Sequence, residues 1–193
     1  LASSEIHSVQ TVSGNQPRIR RIIEEAGQTF LPGTPVQVAA GDGGLKAWDG
    51  TTIARGIAGF SKEFGNNLAA LGVIPTASVP GVQPSASSVP FEPSAVSITR
   101  PFFRDGRQGF EVAVEDTVFL GQVGPAQTAL ATDIGVQYGM TIDADNHWFV
   151  DKTKLTVGTN TVLTIVKLDP NDQSATPRGV YFVITTGAQQ LIA

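Results

Sequence analysis

Met140-Thr141-Ile142-Asp143-Ala144-Asp145-Asn146-His147-Trp148-Phe149-Val150 reads as strand, turn, strand. Thr, Ile, Val, Phe and Trp suit a pleated, half-buried surface. The four residues between the runs carry the Asx side chains that bond back to their own backbone in tight turns. The same grammar continues outward. Thr161 to Leu168 alternates, with Val162, Val166 and Leu168 beside Thr164 on one face and Leu163, Ile165 and Lys167 on the other. Val180 to Ile184 is apolar on both faces, as in a strand covered on both sides. Gly41-Asp42-Gly43-Gly44 separates two strand-like runs as a hairpin loop, because glycine takes positive φ without steric cost.

With 21 glycines and 12 prolines the chain is punctuated too often for long helices. Strands are expected over Arg18 to Glu24, Thr34 to Ala40, Leu45 to Trp48, Ile53 to Ser61, Ala95 to Thr99, Gln108 to Val114, Gly135 to Ile142, His147 to Val150, Thr161 to Leu168 and Gly179 to Thr185. Short helices fit only Phe64 to Leu71 and Ala126 to Thr132. The fold class is mainly β. A faint echo relates Thr29-Phe30-Leu31-Pro32-Gly33 to Val118-Phe119-Leu120-Gly121-Gln122, consistent with either duplication or chance.

The 193 residues suffice for one large β domain or two small ones. Charged residues make up 16 % of them, against roughly 25 % in ordinary soluble domains. Such a surface is covered in use, or is rich in neutral polar residues. A net charge of -4 argues against a nucleic-acid groove, which needs clustered cations, and against electrostatic attachment to a membrane. With no cysteine, disulfides, thiolate metal sites and cysteine nucleophiles are excluded. No apolar run approaches the roughly 20 residues of a membrane span, and no signal segment opens the chain. The expectation is a soluble protein made in a cytoplasm and stabilised by oligomerisation.

From Phe64 to Phe91 there is no charge, and Pro75, Pro80, Pro84, Pro90 and Pro93 stud this stretch and its exit. Residues 75–93 therefore read as a linker, or as an arm that orders on a partner through Val79 and Val82. The expected organisation is an N-terminal arm over 1–16, a first β module over 17–74, the Pro-rich segment over 75–93, and a second β module over 94–193. The alternative is that the second module forms one intertwined domain with 17–74.

The parts of an active site do not assemble. His7 lies in the polar N-terminal stretch and His147 follows a turn, neither with the spaced partners of a metal or catalytic site. Asp143 to Asn146 lacks the central glycine and closing glutamate of a calcium loop. No Gly-x-Ser-x-Gly elbow or phosphate loop occurs. The neighbours Glu24-Glu25 and Glu115-Asp116 would point to opposite faces of a strand. No catalytic residue, metal or cofactor is expected. Arg18-Ile19-Arg20-Arg21, followed by Glu24-Glu25, reads as a solvated strand face or an inter-subunit strip.

The segment Pro17-Arg18-Ile19-Arg20-Arg21-Ile22-Ile23-Glu24-Glu25-Ala26-Gly27-Gln28-Thr29-Phe30, with Gly33-Thr34-Pro35-Val36-Gln37, resembles the opening of head-decoration (cement) proteins of tailed bacteriophages. Trp48-Asp49-Gly50-Thr51-Thr52-Ile53-Ala54-Arg55-Gly56-Ile57-Ala58-Gly59 is similar to the same family. So are Asp133-Ile134-Gly135-Val136-Gln137-Tyr138-Gly139-Met140-Thr141 and His147 to Lys152. These pieces cover just under a quarter of the chain. The resemblance implies a compact β-barrel or β-tulip-like module on the outer surface of the virion. It also implies a homo-oligomer, a trimer first, that clamps neighbouring subunits of the major capsid protein, with no catalytic residues. It implies, too, an N-terminal arm that adds a strand to a capsid partner. On this reading the partner-contact candidates are Ile6, Val9, Val12, Arg18, Arg20, Val79 and Val82. Two other functions compete: an outward-facing carbohydrate- or host-binding module, using Trp48, Trp148, Phe149, Tyr138 or Tyr181 as a platform, and a β-rich hydrolase.

Overall fold

The computed structural model describes residues 6–11, 17–25, 28–40, 43–65, 107–114, 116–156 and 159–191. The Pro-rich segment 75–93, the expected strand Ala95–Thr99 and all but the first two residues of the expected helix Phe64–Leu71 lie outside them.

The described chain is almost all β, in two antiparallel sheets. Its strands are β1 (His7–Thr11), β2 (Ile19–Ile23), β3 (Pro35–Val38), β4 (Leu45–Ala47), β5 (Gly59–Ser61), β6 (Arg107–Val112), β7 (Thr117–Gln122), β8 (Gln137–Ile142), β9 (Trp148–Asp151), β10 (Leu163–Leu168) and β11 (Gly179–Ile184). One sheet runs β1-β7-β11-β10-β8-β9 and the other β2-β6-β5-β3-β4. The β8–β9 hairpin pairs Ile142 with Trp148 and Gly139 with Asp151 around the Asx turn. Where a short helix was expected over Ala126 to Thr132, the chain makes a turn and an extended run, then a single 3-10 turn over Ala131–Asp133.

The expected compact barrel is not closed. The six-stranded sheet curls until Val123, just past β7, meets Val150 of β9 at one parallel bridge; the five-stranded sheet curls until Glu24, just past β2, meets Leu45 of β4. Neither contact extends into a ladder, so both sheets stay open. Strands from both sides of the Pro-rich segment share the five-stranded sheet, because β6 sits between β2 and β5. The sheets also share a core. Phe60 of β5 lies 4.5 Å from Phe119 of β7 and 6.0 Å from Phe182 of β11, centroid to centroid. Trp48, after β4, packs on Trp148 of β9 at 5.3 Å. Aromatic pairs at these separations add to the large apolar area they bury. A second cluster, with Phe30, Val36, Leu45, Phe110 and Val112, fills the five-stranded sheet.

Part of the expected N-terminal arm is a strand of the chain's own sheet. β1 pairs with β7 from His7↔Leu120 to Thr11↔Thr117, with an irregularity between Ser8 and Gln10. The cause is local. Gly121 has no Cβ, and one placed there would stand 3.1 Å from Ile6 and 3.0 Å from Phe182. The missing methyl leaves the hollow that Ile6 fills, and Ile6 is only 1 % exposed.

The C-terminus ties the sheets together. Ile57 donates to the carbonyl of Ala188, and Gln190 N–H donates back to the carbonyl of Ile57, both at 2.8–2.9 Å. The Gln190 side chain then takes the N–H of Val38 on Oε1 and gives its amide to the Val38 carbonyl, each at 2.6 Å.

Candidate partner-binding surface

Of the residues expected to meet a partner, the structure places four. Ile6 is committed to the core, so its side chain acts within the chain. Val9 sits at the β1 irregularity and is 41 % exposed. Arg18 and Arg20 are exposed on and beside β2, flanking Ile19, which at 57 % is the most exposed large apolar side chain among the described residues. Val12, Val79 and Val82 lie outside the described residues.

β2 is an edge of its sheet, paired only with β6 in the described strand order. Its apolar alternation sends Ile22 against the Phe30–Phe110 cluster. Arg21 reaches Glu63 at 3.8 Å. A separate carboxylate joins the sheets: Glu111 of β6 accepts the Ser8 N–H of β1 and, at 2.7 Å, the Lys62 ammonium. Glu111 is buried, so it holds β1 against the five-stranded sheet while the Ser8–Gln10 irregularity breaks the regularity of that outer edge.

The other titratable groups fasten loops. Asp133 accepts Leu130 N–H at 2.8 Å, Tyr138 Oη–H at 2.8 Å and Lys152 Nζ at 2.7 Å. Burial pushes its carboxyl up, but those donors, Lys152 above all, more than offset this and hold it below the usual 3.8. Burial and the Asp133 charge push Tyr138 up to about 12. Asp151 is likewise held low, burial being outweighed by Thr153 and Gln127. Asp172 is held low by the backbone of Arg178 and by Ser174 and Gly179, fixing the turn before β11. In the 48–52 loop, Asp49 Oδ1 accepts the N–H groups of Thr51 and Thr52 at 2.7–2.8 Å. These bonds outweigh partial burial and hold Asp49 at about 2.

Asp143, Asp145 and His147 bring one ligand atom each within 4.8 Å of one another. Their geometry is that of the Asx turn: Asp143 Oδ1 accepts the N–H groups of Asp145 and His147, both at 2.9 Å. The expected aromatic platform is largely buried. Trp48, Trp148, Phe149 and Tyr138 are buried, and only Tyr181 of the five is partly accessible. The Glu111–Lys62 link and the Asp133–Lys152 pair were not anticipated from sequence. Each joins residues 49 or 19 positions apart, a spacing that no local pattern encodes. Comparison with protein-family models, curated proteins and solved structures finds no match for this chain.

Proposed function

We propose that this chain is a structural protein that decorates the outside of a tailed-bacteriophage capsid. It clamps neighbouring subunits of the major capsid protein as a homo-oligomer and performs no chemistry. The observation that carries this reading is the surface at β2, an edge strand where Ile19 is exposed and the adjacent, likewise exposed Arg18 and Arg20 alternate with it in face. An isolated apolar side chain in water is ordinary. One on an edge strand that also exposes arginines on its neighbouring positions suits a protein partner, because arginine and apolar anchors are favoured at interfaces. The titratable clusters described above are occupied with loop bonds, which supports a binding role over a hydrolytic one. The burial of four of the five aromatics favours the capsid over a glycan as the partner.

A clamp needs little energy per copy. Binding linkage stabilises the bound state by about 4 kcal/mol at a thousandfold excess over Kd, and a shell multiplies the contacts. Capsid shells carrying the protein are expected to resist heat and osmotic shock better than bare shells. The double variant Ile19→Ser/Arg20→Ser is expected to bind shells weakly and to protect them less. Equal resistance of bare and decorated shells overturns the cement role.

A further inference from the structure

We propose that Arg55 is a self-recognition residue, whose guanidinium takes a carboxylate of a second copy of this chain. This rests on the homo-oligomeric part of the function proposed above and names the side chain that makes the contact.

The starting point is the backbone. Among the described residues, positive φ occurs at Gly33, Gly43, Gly50 and Gly135, at Asn146 (64°), and at Arg55 (51°). Glycine and asparagine enter the left-handed region cheaply; for other L-residues the Cβ crowds the backbone. Arg55 is thus the one left-handed position filled by a residue that conformation disfavours. An outlier held by its surroundings points to a use for the side chain.

The surroundings do hold it. Arg55 N–H donates to the Gly187 carbonyl at 2.8 Å, and Ile57 N–H to Ala188 at 2.9 Å, so the C-terminal segment pins both sides of the turn. At Gly56 a Cβ would lie 1.7 Å from the Thr52 carbonyl and 2.8 Å from Trp48 Nε1, which itself donates to Thr52 O at 2.7 Å. Asp49 caps Thr51 and Thr52 from the other end of the loop. The guanidinium has no hydrogen bond or ion pair among the described residues, and Arg55 is exposed. Its exposed neighbours Thr51, Thr52, Ala54 and Gly187 carry no charge. The pinned backbone fixes where the side chain starts, the one acid of the loop, Asp49, is bonded to Thr51 and Thr52, and the planar fork of a guanidinium binds a carboxylate bidentately. A second copy suits the charge: with 17 acidic against 13 basic residues, each copy offers carboxylates in excess.

The test uses the whole chain and its variants Arg55→Asn, Arg55→Gly and Arg55→Lys, followed by sedimentation across concentration and salt. The native chain is expected to self-associate, less so as salt rises. Arg55→Asn and Arg55→Gly are expected to melt higher by roughly 2 °C or more as the strain is relieved, yet to associate about tenfold or more weakly. Arg55→Lys keeps the charge without the fork and falls between. A native chain that stays monomeric, or Asn and Gly variants that associate like it, overturns the proposal. If those variants associate normally but lose shell binding, Arg55 faces the capsid; the self-recognition is then refuted while the decoration reading stands.

Discussion

In the six-stranded sheet, loops are fastened by carboxylates: Asp133 before β8, Asp143 between β8 and β9, Asp151 at the end of β9 and Asp172 before β11. In the five-stranded sheet the work is shared: Asp49 caps the loop after β4, while neutral Gln190 grips Val38 and Gln28 accepts from Ala47. The cores differ in the same sense. The first sheet backs onto the larger cluster, including Phe119, Met140, Leu163, Ile165 and Phe182, whereas the second encloses a smaller set and leaves its β2 edge dressed with Arg18, Ile19 and Arg20. The six-stranded sheet is the scaffold, and the five-stranded sheet carries the exposed edge proposed to meet a partner. Division of labour of this kind makes the two regions respond differently to mutation.

The largest expected effect sits where the sheets meet. Phe119 is fully buried between Phe60 and Phe182, so Phe119→Ala is expected to cost about 3–5 kcal/mol. Phe30→Ala, at the rim of the smaller core and 7 % exposed, is expected to cost less, since a rim site collapses more easily around the lost ring. Urea unfolding of both variants checks this. A larger loss at Phe30 would reverse the assignment of the scaffold.

Next comes the Asp133–Lys152 pair. Lys152→Met removes the ammonium bonded to Asp133 and to the Thr128 carbonyl, leaving a buried carboxylate with only Leu130 and Tyr138 as donors, at a cost of about 3 kcal/mol. The pH dependence has a definite sign. The folded-state carboxyl of Asp133 is held below the usual 3.8. Its stabilisation is therefore present above that value and is lost as pH falls through the lowered one. Asp151 and Asp172 act in the same direction. Thermal melts of the native chain should fall steeply below about pH 4, and Lys152→Met should flatten that fall. Parallel profiles for the two proteins would show that the acid response arises elsewhere.

Most of the strands were legible in the sequence because their signal is local. The Asx turn at 143–146, the alternation at 161–168 and the apolar run at 180–184 each carry the pattern within a few residues. Two strands were not read as such. β1 contains Ser8 and Gln10 and earns its place through Ile6 in the hollow over Gly121, a fit that needs β7 and β11 already in position. β7 does carry a strand signal, Thr117-Val118-Phe119-Leu120, which the echo of Phe30 obscured: Phe30 lies in a loop before β3, whereas Phe119 lies in mid-strand. The exposed basic edge was visible as Arg18-Ile19-Arg20. The strained Arg55 was not, because left-handed backbone at a non-glycine residue leaves no compositional trace.

The smallest expected effect has the sharpest sign, and it lies at the junction of β1 with the scaffold. Thr117 is fully buried opposite Thr11, and its hydroxyl Oγ1 has no hydrogen-bond partner among the described residues. A buried hydroxyl that has lost water without gaining a partner is destabilising, while its methyl packs like that of valine. Valine also matches threonine in shape and favours strands. Thr117→Val is thus expected to stabilise the chain by about 1 kcal/mol, a rise in Tm of a few degrees, against the usual direction for a core substitution. Chemical denaturation with an unchanged m-value would show that the native state, and not the unfolded one, is responsible. A loss of stability would mean that the hydroxyl has an acceptor in the segments flanking β1. The joint between β1 and the six-stranded sheet would then be polar, and the dry scaffold would end at Phe119.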